Sequence, residues 1–593
     1  MSDAVVGPAG ATTEADVRTI AVADRSAFLP EGSEPAPAKS VGLRRRTGDR
    51  LRWVFRRRLC FGGLAGAVVF FGISLTPSLL PRTVAVQGLV CGIATVIGYG
   101  IGSALSAGLR KLVAGEPGRR AKRIAWRVLV GAAVIFVPLF LVLGRSWQDD
   151  VRQLMGMESL SAWKWGAILV VTAAIAALLL LISRVVRGFA RVLIRFIDRF
   201  VPRAVSATAG VVITFFVVVG LIQGFLLDPA MEALNAAYSV INDGTEPGIA
   251  QPSQSERSGS PASLVPWETL GTKGRNFIGS GPTRAEISGF TDRPAEEPIR
   301  VYVGIDSADS LAARVDLAMA ELDRTDAWSR EVITVFTTTG TGWVDAKAAD
   351  PVEYMHNGDT ALVALQYSFL PSWISFLVDA DKAADAGREM IGAIRERIAD
   401  MPKDDRPKLL LFGESLGSFG TEQAFDGIDD MISSVDGALL AGPVFQNEIH
   451  SAVTDARDSE SPFWRPVYEG GEDVRFAVDV TDLAEPDTEW GFPRIVYLQN
   501  ATDPITYWEP SLLWQAPEWL DEPRGPDVSD DMAWMPVVTF WQTAADMIFS
   551  TGVPAGHGHS YGANPVDAWA AIAPPQDWSA EKNQQLRDIV GDD

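Results

Sequence analysis

Residues 413–417 read Gly413-Glu414-Ser415-Leu416-Gly417, a serine between two glycines at the spacing G-x-S-x-G. A serine hydroxyl attacks a carbonyl carbon only when a base takes its proton and fixed donors meet the negative charge that develops on the carbonyl oxygen. The pentapeptide suits both demands. It follows the apolar, strand-type run 409–412 and precedes residues able to open a helix, so Ser415 would stand at the tip of a sharp strand-to-helix turn. The glycines remove side chains that would hold strand and helix apart. The amide of Leu416, at the helix N-terminus, would then face the oxyanion. A glycine-rich turn with no chemistry has the same local sequence, so the partners of Ser415 decide.

Such a serine needs a histidine base and a carboxylate that fixes the histidine tautomer, in the chain order nucleophile, acid, histidine. Both come in that order. The run 495–499 reads as a strand and ends in Asn500-Ala501-Thr502-Asp503-Pro504, which sets Asp503 just past a strand end. Gly556-His557-Gly558-His559-Ser560-Tyr561-Gly562 forms a loop ahead of a helical run at 565–572. His559, nearer that helix, is the expected base, and His557 stays open as the alternative. His356, in a helical stretch, and His450, after a strand at 438–441, read as structural. The second oxyanion donor is expected from Gly340 or Thr341, in the Gly340-Thr341-Gly342 loop after a strand at 332–336.

Competing uses of these residues are a turn or cap role for Asp503 before proline and weak metal affinity for the paired histidines. There is no H-E-x-x-H pattern, and Cys60 and Cys91 give no metal-ligand spacing. The pattern implies no cofactor and no metal.

Around these residues, runs at 299–305, 332–336, 361–367, 409–412, 438–441 and 495–499 read as strands, and 311–322 and 379–398 as helices. Their alternation predicts an α/β fold with a mostly parallel sheet flanked by helices and ligands at the strand ends. Between Asp503 and His557, Tyr507, Trp508, Trp514, Trp519, Trp534, Phe540 and Trp541 fall in a stretch broken by prolines. They are expected to cap an apolar pocket, or else to form an insertion covering the sheet.

The formal charge of −22 conceals a division: residues 1–228 carry 28 Lys and Arg against 13 Asp and Glu, whereas residues 229–593 carry 24 against 61. The basic part contains five apolar runs of membrane-span type, at 59–80, 84–107, 124–143, 165–182 and 205–227, predicting a transmembrane bundle. Arginines crowd 44–58, and basic residues fill the connections before the third and fifth runs, while Arg82 stands alone after the first. That alternation predicts a cytoplasmic N-terminus and, after five crossings, an extracytoplasmic remainder. Loss of the shortest run, 165–182, as a span would reverse the latter. The expected division is a disordered tail with a basic end at 1–43, a membrane domain at 44–228, a linker at 229–266 and a catalytic domain at 267–593. The acidic surface of the last argues against a nucleic-acid partner.

With the elbow, Asp503 and the histidine loop in hand, the soluble region resembles the α/β-hydrolase superfamily. The whole chain resembles a bacterial family of membrane α/β-hydrolases with several N-terminal spans. The motifs carrying this are Ser74-Leu75-Thr76-Pro77-Ser78-Leu79-Leu80-Pro81-Arg82, GESLGS at the elbow and GHGHSYG near the end, and the resemblance covers about residues 59–573. It implies a serine hydrolase fold and a Ser-Asp-His site, but no substrate. The strand-helix-strand over 299–336 departs from the superfamily's antiparallel start.

The expectation is therefore a membrane-anchored esterase or lipase forming an acyl-enzyme on an acylated lipid or envelope ester, with membrane lipids as partners. The alternatives are an acyltransferase using the same site, or a transport or assembly scaffold carrying a hydrolase-like binding domain. Acids within the apolar runs would favour the scaffold, and only Asp228, beyond the last, comes near them.

Overall fold

A computed structural model describes residues 59–112, 118–199, 203–224, 228–521 and 523–591. The expected tail and the arginine-rich segment up to Arg58 lie outside the described residues.

All five apolar runs contain helix: α1 (Phe61–Ile73), α2 (Val84–Leu112), α3 (Arg119–Leu154), α4 (Ala167–Ile197) and α5 (Arg203–Ile222). Three of them, α2, α3 and α4, with 29, 36 and 31 residues, are long and apolar enough to cross a membrane. Helix α1 has only 13 residues and ends before the first expected run does, while α5 has 20. The first run is cut by Pro77 and Pro81, which have no amide to donate and disfavour helix in the residue before them. Residues 74–83 consequently leave the helix as an irregular segment. Gly62 faces Gly102 and Gly66 faces Gly98, so that a methyl group on any of them would strike the partner's backbone. Small residues thus set the close approach of α1 and α2.

Beyond α6 (Asp228–Asn242), the segment expected to be a linker is packed. Arg257 is buried, donates to the carbonyls of Ile278, Gly281 and Pro282, and pairs with Glu297 at 3.1 Å. The amide of Ser258 donates to Arg300 O. Backbone pairing and a buried guanidinium order this stretch, and neither leaves a hydrophobic period to read.

The C-terminal region is built on seven parallel strands: β1 (Ile299–Val303), β2 (Val332–Thr337), β3 (Thr360–Leu365), β4 (Lys408–Glu414), β5 (Gly437–Ala441), β6 (Val474–Ala477) and β7 (Arg494–Leu498). Their order across the sheet is β1-β3-β2-β4-β5-β7-β6. The six expected strands are present, and β6 is added at one edge. The departure at 299–336 is real, since β1 runs parallel to β3 at the other edge. Continuous burial along these strands fits a parallel sheet covered on both faces. The helices used below are α7 (Leu311–Arg324), α8 (Ala380–Ala399), α9 (Leu416–Glu422), α10 (Val538–Met547) and α11 (Asn564–Ile572). The first two realise the helices expected at 311–322 and 379–398, and α11 the one at 565–572.

Much of the aromatic stretch meets the membrane module. Tyr507 and Trp519 form one buried cluster with Leu79, Leu80, Val151 and Met155, and Trp508, Trp534 and Phe540 pack against it. Leu79 and Leu80, which hydropathy assigned to the first span, sit in this aromatic bed.

Candidate active site

At the end of β4 the chain turns at Ser415 with φ 54° and ψ −120° before α9 begins at Leu416. A non-glycine residue there carries backbone strain, on the order of 1–3 kcal/mol, which persists only where the surroundings over-determine it. Here they do: the Ser415 amide donates to Ala441 O of β5 at 2.8 Å, and its carbonyl accepts from the amides of Ser418 and Phe419. A Cβ on Gly413 would lie 2.5 Å from Gly417 O, and one on Gly417 would strike Thr337 O at the end of β2. Both glycines are therefore required by the contact of strand and helix. Among the described residues, the Leu416 amide donates to no protein acceptor.

Asp503 comes after β7, fully buried, and serves two geometries at once. Its Oδ1 accepts from the Ile505 amide at 2.8 Å as a helix cap. Its Oδ2 lies 2.6 Å from His559 Nδ1 and accepts from Tyr561 Oη, also at 2.6 Å. Tyr561 was not anticipated, although it stands in the GHGHSYG motif. Asn500 Nδ2 donates to Gly558 O and Ser560 O, and the Gly558 amide donates to Thr502 Oγ1, so the acid and histidine loops are stitched together.

His557 turns elsewhere. Its Nδ1 lies 2.7 Å from Asp527 Oδ2, which also accepts from Thr502 Oγ1 at 2.7 Å. It lines a separate cavity of about 460 Å³ with Trp464, Val478 and Asp479. The two expected structural histidines are placed as such: His356 ends a helix 3.4 Å from Glu331, and buried His450 bonds Gln499 at 2.7 Å. Burial pushes the His450 pKa down to about 4.

Ser415 and His559 line one cavity of about 510 Å³ together with Thr339, Trp343, Asp345 and Glu414, and with Phe376, Ile505 and Met547 as apolar walls. Among the described residues no hydrogen bond joins Ser415 Oγ to His559, and His559 Nε2 lies 3.7 Å from Glu414 Oε1. None of the seven aromatics expected as a cap lines this cavity; Trp508 instead packs edge-on against Phe376 from behind. From the expected oxyanion loop, Thr339 and Trp343 reach the cavity, whereas the backbone at Gly340 abuts Leu370 and Ser375. Gly342 donates to Thr339 O, while the amides of Gly340 and Thr341 donate to no protein acceptor among the described residues.

The electrostatics of the cavity hold two acids that sequence reading left out. Burial, reinforced by Asp345 and Asp503, pushes Glu414 up to about 8 against the attraction of His559. Burial also pushes Asp345 up to about 6. For His559, burial lowers the pKa, but the Asp503 carboxylate and then Glu414 outweigh it, and the imidazole sits above its ordinary value. An ionised Asp503 accepting from Nδ1–H leaves Nε2 as the basic nitrogen.

No curated protein and no solved structure matches the chain. Residues 299–586 match the alpha/beta-hydrolase family, and residues 75–282 match the N-terminal region defined for the same family. The two matches together take in the membrane helices from Leu75 onward, the parallel sheet, the elbow and the histidine loop, and the chain belongs to the α/β-hydrolase family.

Proposed function

We propose that this α/β-hydrolase is a membrane-anchored serine hydrolase of ester bonds, acting on an acylated lipid or another acylated envelope molecule. One observation carries the reading: Ser415, strained at the tip of β4, shares a cavity with a histidine whose Nδ1 is 2.6 Å from a buried aspartate.

In this reading Ser415 Oγ attacks the ester carbonyl carbon while its proton passes to His559 Nε2, and Asp503 holds the resulting imidazolium. The tetrahedral oxyanion accepts from the Leu416 amide and from the 340–341 loop. Collapse breaks the bond to the alcohol, which leaves with the proton from Nε2. Water then attacks the acyl-serine, gives its proton to His559, and the acid is released with Ser415 restored. A lipid or sugar hydroxyl replacing water turns the second half into acyl transfer. Apolar walls at Phe376, Ile505 and Met547 suit an acyl chain. The alternation of basic loops supports an extracytoplasmic catalytic domain.

The test is labelling of intact cells with a membrane-impermeant fluorophosphonate. The full-length protein labels and Ser415→Ala does not. Absence of labelling in folded, solubilised protein refutes the hydrolase reading, and labelling only after lysis refutes the orientation.

A further inference from the structure

The segment 74–82, which leaves the membrane module between α1 and α2, is fastened to the catalytic region by a buried ion pair. Arg82 Nε lies 2.7 Å from Asp546 Oδ1, with side chains 1% and 0% exposed. The other Asp546 oxygen accepts from the Leu80 amide at 3.4 Å. Around the pair, Arg82 Nη1 donates to Gln87 Oε1 and the Arg82 amide to Gln148 Oε1, from α2 and α3. One turn before Asp546, Gln542 Nε2 donates to Thr76 O at 3.0 Å. Ala545 packs against Val86 and Val90 at the start of α2.

Asp546 lies in the last turn of α10, and the residues directly after it, Met547, Ile548, Ser550 and Thr551, form a wall of the cavity. Ser550 O accepts the His559 amide at 2.8 Å. Gly558 sits over the same carbonyl and over Leu80, where a Cβ would come within 2.6 Å of Ser550 O and 3.2 Å of Leu80 Cδ2. The histidine loop therefore rests on two supports, a residue of the membrane module and a turn held through Asp546.

We propose that Arg82 and Asp546 are positioning residues, and that the membrane module, acting through them, holds His559 where it can serve Ser415. The proposal rests on the hydrolase reading for its catalytic consequence. Simple anchoring needs no such pair. Taking two charges out of water is costly and apolar contacts tether as well, while an ion pair adds direction. Leu79 and Leu80 in their aromatic bed supply the tether. The pair fixes the end of α10 and, through Ser550, the backbone of His559.

The experiment compares full-length wild type with Arg82→Gln, Arg82→Lys and Asp546→Asn in lipid nanodiscs, measuring the rate and the final extent of fluorophosphonate labelling. Arg82→Gln and Asp546→Asn are expected to reach the wild-type extent at a rate lowered about 10- to 100-fold, the cost of a small misplacement of a reacting group. Arg82→Lys is expected to fall between them and wild type. Hydrogen–deuterium exchange gives a readout independent of catalysis: exchange across 556–562 rises in the variants while that of β4 does not. A wild-type rate in the labelled fraction overturns the proposal even if the extent falls, because only fold stability has then been lost. Unchanged exchange across 556–562 overturns it too. Should one variant fail to fold, the other two carry the comparison. Should wild type itself not label, the hydrolase reading fails and exchange alone decides the role of the pair.

Discussion

His559 Nδ1 lies 2.6 Å from Asp503 Oδ2. His557, two residues earlier, pairs with Asp527 instead. Gly558 between them has φ 53°, a left-handed turn that sends the two rings to different cavities. The loop thus separates two histidines that stand only two residues apart.

The consequence for mutants is unequal. His559→Ala removes the proposed base and is expected to lower kcat on a soluble ester by about 10³- to 10⁴-fold, with Asp503→Asn near that range because the wrong tautomer is held. His557→Ala loses only the contact to Asp527, which Thr502 still holds, and is expected to stay within about tenfold of wild type. Equal losses at 557 and 559, or a larger loss at 557, would contradict the assignment.

Glu414 sets a pH dependence. Its carboxyl is neutral below about 8 and anionic above, and its oxygen is 3.7 Å from His559 Nε2. The other charged or titratable groups lining that cavity are Asp345, Lys347 and Tyr561, with Asp503 behind the ring. His559 acts as a base only when neutral, so kcat/KM rises with pH through its raised pKa. Ionised Glu414 favours imidazolium and competes with Ser415 for Nε2, so kcat/KM turns down above about 8. Glu414→Gln removes that charge: the alkaline decline disappears, while the acid limb, where the carboxyl is already neutral, stays in place. A profile unchanged by Glu414→Gln would separate this carboxyl from the chemistry.

The elbow was legible because the backbone imposes it locally: Gly413 and Gly417 are demanded by contacts with Ser418 and Thr337, and no other residue fits. Asp503 and a histidine loop were legible from chain order and strand ends. Spacing to the following helix favoured His559 but left His557 open until the φ of Gly558 set the two rings apart, and the state of Glu414 depends on Asp345 from a separate loop. Hydropathy read Leu75, Leu79 and Leu80 as membrane because it records apolar character and not its partner; Leu79 and Leu80 pack against Tyr507 and Trp519. Strand β6 escaped notice because it is four residues long with Arg475 inside it. Arg475 is buried there with its guanidinium bonded to backbone carbonyls of Gly471, Leu483 and Thr488.

A lipid substrate makes a prediction about the cavity's rim. Ile548 and Phe549 are 53% and 45% exposed, and Ile548 also lines the catalytic cavity. They come directly after α10, whose Ala545 touches Val86 and Val90 at the start of a membrane-length helix. If that places them at a lipid surface, each gains about 1 kcal/mol by partial burial there, or about fivefold in affinity. Ile548→Ser and Phe549→Ser are therefore expected to raise KM several-fold for an ester carried in vesicles. For a short-chain water-soluble ester, kcat and KM should stay near wild type. Measuring both esters with the same preparation separates a membrane-facing rim from a general defect. If both KM values rise together, these residues only shape the cavity; if neither rises, the acyl chain reaches Ser415 by another path.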